Sequence, residues 1–217
     1  MRGHGLTAFR SEVRMCCRYY IESSAETKAI IEKMQASPLV AKWNRTSKVC
    51  VSGEIRPTDV APVIAPNRAG KKSVFPMKWG FSAQSLLVNA RVETASEKPT
   101  FQEAWKRRRC IVPATCYYEW EHLTDNQGKK ITGDKYLIQP KDAKCVWLCG
   151  LYRFENDLPV FVVLTRDAAD DIRFIHDRMP LIMPERLIDA WISPDSDPGE
   201  LVREALTDMI AEKSEWT

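Results

Sequence analysis

Residues 89–120, NARVETASEKPTFQEAWKRRRCIVPATCYYEW, combine a predicted short helix with the start of a predicted β region. The middle part, PTFQE at 99–103, predicts a capping box that opens a short helix ending near Arg108. Two strands are predicted after the helix, separated by a break at Pro113. An amide, a basic run and a lone carboxylate around one short helix are typical of a catalytic surface rather than of a plain core.

Length and composition limit the class of protein. The chain has 217 residues, of which 44% are hydrophobic, so one substantial core and one domain are expected. The net charge of +3 is too small to establish a polyanionic partner by itself. Seven cysteines without a CxxC pair indicate neither a disulfide framework nor a structural zinc site. Reduced thiols in the cytoplasm are predicted, with no metal and no organic cofactor.

The beginning of the chain carries no export signal. Residues 1–14 lack the apolar run of a secretory signal, and no window approaches the ~20 apolar residues of a transmembrane helix. Residues 1–14 are interpreted as an upstream translation start, an expression remnant or a removable leader. The folded domain is expected to cover residues 15–217, with no membrane partner.

Secondary-structure patterns in the first half favour a strand, a helix and then β structure. A strand is predicted at 16–22, followed by a capping box at 23–26 and a helix ending near Ser37. Ile30, Ile31 and Met34 are predicted to form its apolar stripe. Between 47 and 81, prolines at 57, 62, 66 and 76 interrupt short apolar runs, which favours edge strands.

The second half alternates strand and helix patterns. Strands are predicted at 116–121, 136–139, 146–152 and 160–165, with a hairpin loop at 125–130. Asp167 is predicted to cap a helix toward Ile175, and further helices are predicted at 185–192 and 200–212. Strands dominate the middle and helices flank it, so the expected fold class is α+β.

Cys16 directly follows Met15 and is the first candidate for chemistry. Removal of everything before it would leave a free α-amine and a thiol on adjacent carbons. Such an aminothiol condenses with an aldehyde through its amine, and its sulfur then closes a five-membered thiazolidine ring. The second step is intramolecular, with effective molarities that reach about 10⁵ M or more. The ordinary alternative is a buried strand cysteine.

Glu119 and His176 are the candidate proton-transfer groups. Glu119 stands between Tyr118 and Trp120, where a carboxylate is costly unless it is paired or functional. The alternative is a strand-edge glutamate that faces solvent. His176 is predicted to lie on a turn, where an imidazole relays protons near neutral pH or serves as a structural hydrogen-bonding residue. His122 and His4 have no distinguishing context.

Cationic residues and one amide are the candidate substrate contacts. Asn89 is suited to orienting an amine or a substrate, with an Asx turn as the ordinary alternative, and Arg91 is suited to phosphate. The basic run from Lys106 to Arg109 is usually a solvated helix end. Together with Arg18 and Arg91 it instead predicts a phosphate track, with aromatic faces on which bases stack.

Taken jointly, these motifs resemble the SOS response-associated peptidase (SRAP) family. The resemblance rests on Met15-Cys16-Cys17-Arg18-Tyr19, NARVET at 89–94, EKP at 97–99, RRCIVPA at 108–114, YYEW at 117–120 and IHDRMP at 175–180. It implies one α+β domain around a barrel-like β core. It also implies a positively charged groove for single-stranded DNA containing abasic sites. A monomer is expected, located in the cytoplasm and associated with the nucleoid when it is bound to DNA.

The resemblance further implies roles for single residues. Cys16, freed as the first residue, is the nucleophile that forms a thiazolidine crosslink with the ring-opened aldehyde of an abasic site. Asn89 positions the amine and the deoxyribose, Glu119 is the acid and base, and His176 assists proton transfer.

The implied DNA contacts are cationic. Arg18 and Arg91 are expected to hold phosphates next to the lesion. Lys106, Arg107 and Arg108 extend the predicted basic surface.

Three features depart from the family pattern. Cys17 stands where a glycine is usual, and the Asn-x-x-Pro motif occurs only as Glu54-Ile55-Arg56-Pro57. Fourteen residues precede Met15, and an amide-bound Cys16 has no free amine with which to form an imine. Translation from Met15 followed by removal of that methionine would free the amine, as would cleavage of the leader before Cys16; the former is favoured.

Two other functions remain open on the residues alone. One is an N-terminal-nucleophile amidohydrolase, in which the Cys16 thiol attacks an amide and its own amine is the base. The other is a noncatalytic module that binds single strands through its basic and aromatic surface.

Overall fold

The computed structural model describes residues 18–215, which form twelve strands and six α-helices. The strands are β1 Arg18–Ile21, β2 Gly53–Ile55, β3 Val60–Pro66, β4 Lys72–Trp79, β5 Asn89–Arg91, β6 Arg109–Ala114, β7 Cys116–Thr124, β8 Lys130–Pro140, β9 Val146–Glu155, β10 Leu158–Asp167, β11 Arg178–Pro180 and β12 Met209–Lys213. The helices are α1 Ala25–Gln35, α2 Leu39–Trp43, α3 Val92–Ala95, α4 Pro99–Arg107, α5 Ile188–Ile192 and α6 Pro198–Arg203, with 3₁₀ turns at Asp170–Ile172 and Glu185–Leu187. Within this range, no helix has both the length and the apolar character needed to cross a membrane.

A closed five-stranded barrel forms the centre of the fold. Its strands follow the order β10, β4, β3, β6, β9, and the ring closes because β9 pairs again with β10. β10 runs parallel to β4, whereas the other neighbours in the ring are antiparallel. Closure pairs the edges that an open sheet would leave free. The predicted α+β class and barrel-like core are confirmed.

A second sheet, in the order β12, β8, β7, β1, β2, packs beside the barrel. Tyr19 on β1 lies with its ring centroid 5.1 Å from that of Trp79 on β4, and Trp79 stacks on Phe161 of β10 at 6.0 Å. All three side chains are fully buried. Burial of each large apolar side chain contributes roughly 2–3 kcal/mol. This contact fixes β1, which begins two residues after Cys16, against the barrel wall.

The first predicted strand and helix are confirmed within the described residues. The helix cap is Ser24 rather than Ser23, so the predicted capping box is wrong by one residue. The Ser24 Oγ accepts from the Thr27 N–H at 3.4 Å, and the Thr27 Oγ1 accepts from the Ser24 N–H at 2.9 Å. Thr27, not Glu26, therefore completes the reciprocal pair.

The apolar stripe of α1 faces the interior as predicted. Ile31 and Met34 are buried, and Ile30 is partly buried against the same core. The stripe holds α1 against β3 and β4.

The prediction of edge strands for 47–81 is wrong for β3 and β4. Both are strands of the barrel wall with a neighbour on each side. Pro62 and Pro76 face each other across this pair. On their outer sides, β6 pairs with β3 at Ile64, and β10 pairs with β4 at Lys78 and Trp79. Neither Pro62 nor Pro76 takes part in the registered pairings with β6 and β10, so their missing N–H groups interrupt no registered pair on the outer sides of β3 and β4.

The short helix predicted near Trp105 is confirmed as α4, but its capping box is wrong. Pro99 occupies the first helical position, and the N-cap Lys98 makes no side-chain capping bond. Proline suits this position because its missing N–H would have no partner within the helix. Pro113 does not break the next strand, since it pairs opposite Trp147 within β6.

Two predictions in the C-terminal part are wrong. Asp167 does not cap a helix but ends β10 opposite Arg178 of β11, and only a 3₁₀ turn follows it. The helix predicted at 200–212 ends at Arg203. Met209 then begins β12, which pairs with β8 and buries the Met209 side chain. The helix at 185–192 is confirmed as a 3₁₀ turn followed by α5.

Candidate active site

Glu119 lies in the middle of β7 and is only 2% exposed. It pairs opposite Tyr136 of β8, and its Oε1 accepts a hydrogen bond from the Trp120 N–H at 3.2 Å. The alternative of a solvent-facing strand-edge glutamate is therefore wrong. A carboxylate is rarely buried to this extent without a paired or chemical role.

His176 lies on the connection between the 3₁₀ turn and β11, as the sequence predicts, and is 8% exposed. Its Nδ1 accepts from the Arg178 N–H at 2.9 Å and lies 2.8 Å from the Asp177 Oδ1. Burial, followed by the nearby charge of His122, lowers the pKa of His176 from 6.5 to about 4. The ring is therefore neutral at physiological pH, with one nitrogen able to donate and the other able to accept.

His122 completes a compact group with these two residues. Its ring centroid lies 4.0 Å from that of His176, and one ligand atom each from Glu119, His122 and His176 falls within 4.8 Å of the others. Burial lowers the pKa of His122 as well. No local sequence pattern distinguishes His122, so its place in this group was not predicted.

The irregular course of β7 explains how His122 reaches the group. In a regular strand, residues three apart point to opposite faces of the sheet. The β7–β8 register shifts between Trp120 and His122, and such irregularities bend and twist a strand. Beyond the shift, the His122 N–H bonds to the Ile175 carbonyl at 2.9 Å, which places His122 against the turn that carries His176.

A cavity of about 430 Å³ opens beside the two histidines. It is lined by His122, Lys130, Arg173, Phe174, Ile175, His176 and Asp177. The histidine rings are therefore reachable from solvent through a space that also contains charged groups.

Asn89 and Arg91 lie on β5, which extends the barrel beside β10. Asn89 is partly buried opposite Val163, and Arg91 is exposed opposite Thr165. The same strand β10 pairs with β11, which follows His176. The structure thus places the NARVET and IHDRMP motifs on strands that both pair with β10, although the motifs are far apart in the sequence.

Arg18 lies at the start of β1 within a cluster of charged and aromatic side chains. Its guanidinium lies 5.0 Å from the centre of the Trp120 ring and 3.1 Å from the Glu54 Oε1. Lys135 lies 4.2 Å from the centre of the Tyr118 ring. Glu54, which stands where the family's Asn-x-x-Pro motif has its asparagine, pairs with Arg18 and also with Arg56, whose Nε lies 2.6 Å from the Glu54 Oε1.

The basic run at the end of α4 lies around a different depression. Lys106 and Arg107 are exposed and line it together with Asp195 and Asp197. Arg108 is partly buried. The structure therefore divides the predicted basic residues into Arg18 and Arg91 near the motifs and a separate group at the end of α4.

Arg109 does not belong to the predicted phosphate track. It is 1% exposed and donates to the Trp191 carbonyl at 2.8 Å and to the Trp105 carbonyl at 2.7 Å. It also contacts the Ser193 carbonyl and Ser196. Arg109 stabilises the packing of the C-terminal helices and is not available to DNA.

The described cysteine thiols are poorly reactive. Cys50, Cys110, Cys116, Cys145 and Cys149 are free and buried. Burial raises the pKa of each of them, to about 11 for Cys116. A buried thiol with a raised pKa is a poor nucleophile. Cys16 and Cys17, the other two cysteines of the chain, lie outside the described residues.

A model of the family described as SOS response associated peptidase (SRAP) matches residues 15–217. The chain belongs to this family. The resemblance predicted from the motifs is therefore confirmed, and the SRAP match covers the buried glutamate, both histidines and the basic residues described above.

Several relatives carry related names. The abasic site processing protein YobE of Bacillus subtilis is 30% identical over 149 residues, which are 62% of this chain and 64% of the relative. The abasic site processing protein YedK of Escherichia coli is 29% identical over 125 residues, 54% of each chain. The abasic site processing protein HMCES of Rattus norvegicus is 24% identical over 212 residues, 76% of this chain and 59% of the relative. The chain thus spans less than two thirds of the length of these relatives.

Solved structures share the fold. A protein from Bacteroides thetaiotaomicron superimposes with a TM-score of 0.68 at 24% identity, covering 93% of each chain. A phage-related protein from Bordetella bronchiseptica superimposes with a TM-score of 0.69 at 20% identity, covering 92% of this chain and 94% of that one. At these identities the likeness concerns the SRAP fold alone.

Proposed function

We propose that this SRAP protein captures abasic sites in single-stranded DNA by forming a thiazolidine crosslink through Cys16. The relatives named abasic site processing proteins support the choice of substrate. The observation that carries the proposal is the buried Glu119, which lies in a group with His122 and His176. Glu119 is on β7, the strand that pairs with β1 at Arg18, two residues after Cys16.

The place of Cys16 in the sequence supports the choice of Glu119. Arg18, the second residue after Cys16, pairs opposite Tyr118, the neighbour of Glu119. The proposed acid and base therefore lies on the strand that pairs with the residues directly following the proposed nucleophile in the chain.

The inventory of thiols also supports Cys16. Five of the seven cysteines are buried thiols whose pKa is raised. Only Cys16 and Cys17 remain as candidate nucleophiles, and only Cys16 combines a thiol with the amine that is freed by removal of Met15. An α-amine has a pKa of about 7.7–8.0, so an appreciable fraction is neutral and nucleophilic at physiological pH.

The reaction proceeds in two balanced steps. The neutral amine adds to the C1′ aldehyde of the ring-opened sugar, and the resulting carbinolamine loses water to give an imine. The thiol sulfur then adds to the imine carbon, and its proton moves to the nitrogen, which closes the thiazolidine. One water is released overall, and no oxidant or reductant is needed.

Glu119 is proposed to move the protons in these steps. As an acid it protonates the departing hydroxyl of the carbinolamine, and as a base it removes the thiol proton. Proton transfer by a positioned side chain typically contributes 10²–10⁴-fold in rate. His176 is neutral at physiological pH, and it assists by exchanging protons between the site and the solvent-filled cavity.

Asn89 is proposed to orient the amine and the deoxyribose. Arg18 and Arg91 are proposed to hold phosphates next to the lesion, with the partly buried Trp120 as the candidate surface for base stacking. Lys106, Arg107 and Arg108 are proposed to make weaker contacts with flanking DNA from their separate surface.

Maturation is part of the proposal because the amine of Cys16 must be free. Hydrolysis of the peptide bond between Met15 and Cys16 consumes one water and releases the segment that ends at Met15. Glu119 is proposed to activate this water, which would make the protein an autopeptidase as well as a crosslinking enzyme.

The test mixes single-stranded DNA bearing one abasic site with protein expressed from Met15. A heat-resistant DNA–protein band on a denaturing gel is expected for the parent protein and for Cys17→Ala, but not for Cys16→Ala. Crosslinking by Cys16→Ala at the parent rate would overturn the proposal. Retained DNA binding without any adduct in the parent protein would instead indicate a noncatalytic binding module.

A further inference from the structure

We propose that Glu119, His122 and His176 bind a divalent transition metal ion, for which Zn²⁺ is the best match, and that the bound ion inhibits lesion capture. One ligand atom from each residue lies within 4.8 Å of the other two. Metal binding itself needs only this geometry. The inhibitory consequence rests on the proposed function, because two of the ligands are its proton-transfer groups.

The donor set matches zinc chemistry. Two imidazoles and one carboxylate are a protein ligand set of zinc sites that keep an open fourth position. Imidazole also favours Zn²⁺ and its transition-metal neighbours over Mg²⁺ and Ca²⁺, which prefer oxygen ligands. At zinc–ligand distances of about 2.0–2.2 Å, tetrahedral ligand atoms lie about 3.5 Å apart. Small rotations that close the group by about 1 Å are therefore sufficient.

His122 supplies an independent sign of a ligand. Its Nε2 is buried and has no hydrogen-bond partner among residues 18–215. A buried polar atom without a partner costs about 1–3 kcal/mol, which a metal bond would offset. Nothing in the proposed capture reaction uses this nitrogen.

His176 has carboxylate surroundings that suit a metal-binding histidine. Its Nδ1 accepts a hydrogen bond from the Arg178 N–H at 2.9 Å, which places the ring proton on Nε2. An ion bound at Nε2 would shift this proton to Nδ1, which would then donate to the Asp177 Oδ1 that lies 2.8 Å away. Metal-bound histidines usually donate their second ring N–H to such a carboxylate.

Access and charge permit an ion to enter. The cavity beside the histidines also contains Lys130 and Arg173, but both are exposed, and Arg173 pairs with Asp170 at 3.2 Å. Exposed cations are screened by salt over about 8–10 Å. Two carboxyl groups lie close to the imidazoles: Glu119 within the group itself, and the exposed Asp177, whose Oδ1 lies 2.8 Å from the His176 Nδ1.

The first test measures Zn²⁺ binding to the full chain, without DNA, by competition with a chromophoric chelator. One tightly held Zn²⁺ per chain is expected for the parent protein. His122→Gln is expected to weaken binding about tenfold or more. His4→Gln is the matched control, since His4 is the one other histidine of the chain. Circular dichroism checks that each variant remains folded.

Two results would overturn the metal site. One is equal Zn²⁺ affinity of the parent protein and folded His122→Gln. The other is loss of binding in Cys16→Ser together with Cys17→Ser while His122→Gln still binds, because the ion would then be held by the N-terminal thiols. A thiolate charge-transfer band in the Co²⁺-substituted protein would report the same outcome.

The second test follows crosslinking to abasic DNA during titration with Zn²⁺. The parent protein is expected to lose activity and to regain it with EDTA, whereas His122→Gln should need about tenfold more Zn²⁺ for the same loss. Equal Zn²⁺ sensitivity of both proteins would overturn the inhibitory role. Absence of any DNA–protein adduct in EDTA would refute the proposed function. The Zn²⁺-binding measurement without DNA would still show whether the metal site exists.

Discussion

Arg178 holds Glu93 through two parallel hydrogen bonds of 2.8 Å each, between its NH1 and NH2 groups and the two carboxylate oxygens. The guanidinium side chain is 7% exposed and also donates to the Thr165 carbonyl at 3.0 Å. Burial alone would raise the pKa of Glu93, but the hydrogen bonds from Arg178 lower it. This pair ties the NARVET motif to the segment that carries His176.

Replacement of Arg178 by leucine should lower the free energy of unfolding by about 3 kcal/mol, because it removes a buried cation and leaves Glu93 and the Thr165 carbonyl without their donor. Urea unfolding measures the change. Arg186→Leu is the matched control, since Arg186 pairs with Glu204 on the surface and exposed pairs contribute about 0–1 kcal/mol. Equal effects of the two substitutions would show that the Arg178–Glu93 pair does not organise this region.

Glu119→Gln should slow crosslinking by about 10²–10⁴-fold, because an amide has the shape of the carboxyl but cannot transfer its proton. Single-turnover kinetics with abasic DNA give the rate. Glu121→Gln, two residues along the same strand, is the control and should react at the parent rate. An unchanged rate for Glu119→Gln would remove Glu119 from the mechanism.

Stability should depend on pH through His176 in metal-free protein. Its pKa is lowered from 6.5 to about 4 by burial and the charge of His122. Between these values the unfolded chain binds more protons than the folded one, so stability is full above about pH 6.5 and falls as the pH drops toward about 4. His176→Gln should lose less stability over this window. Urea unfolding at both ends of the window, in EDTA, tests this, and identical losses in the two proteins would contradict it.

Arg18→Ala should weaken binding to single-stranded DNA and reduce the slope of log affinity against log salt by about one, as expected for loss of one phosphate contact. Arg107→Ala should have a smaller effect, because its depression also contains Asp195 and Asp197. Arg45→Ala, an exposed arginine beyond α2, is the control. Fluorescence anisotropy at several salt concentrations measures the slopes. A larger loss for Arg107→Ala than for Arg18→Ala would reverse the proposed order of the two basic surfaces.

Local patterns predicted most strands, the first helix and the α+β class, because alternation and helical periodicity report burial directly. They failed where tertiary contacts decide. Asp167 has the chemistry of a helix cap, but Arg178 pairs with it at the end of β10. Pro62 and Pro76 favoured edge strands, but they pair opposite each other on β3 and β4, two strands of the barrel wall.

The candidate site was predictable only in part. The isolation of Glu119 among aromatic residues signalled its burial, because a carboxylate in such a strand needs a reason. Arg109 looked like its basic neighbours, and only the packed C-terminal helices show that it is structural. The position of His122 in the site was not predictable, because it depends on a register shift between β7 and β8 that has no local sequence pattern.

Intact mass spectrometry of the adduct shows whether Cys16 closes a thiazolidine with the abasic site. Protein beginning at Cys16, mixed with an oligonucleotide bearing one abasic site, should yield a species whose mass is the sum of the two partners minus one water. This species should resist borohydride, because a closed thiazolidine, unlike an imine, has no C=N bond to reduce. A product that is reduced by borohydride, or its equal formation by Cys16→Ala, would contradict the account.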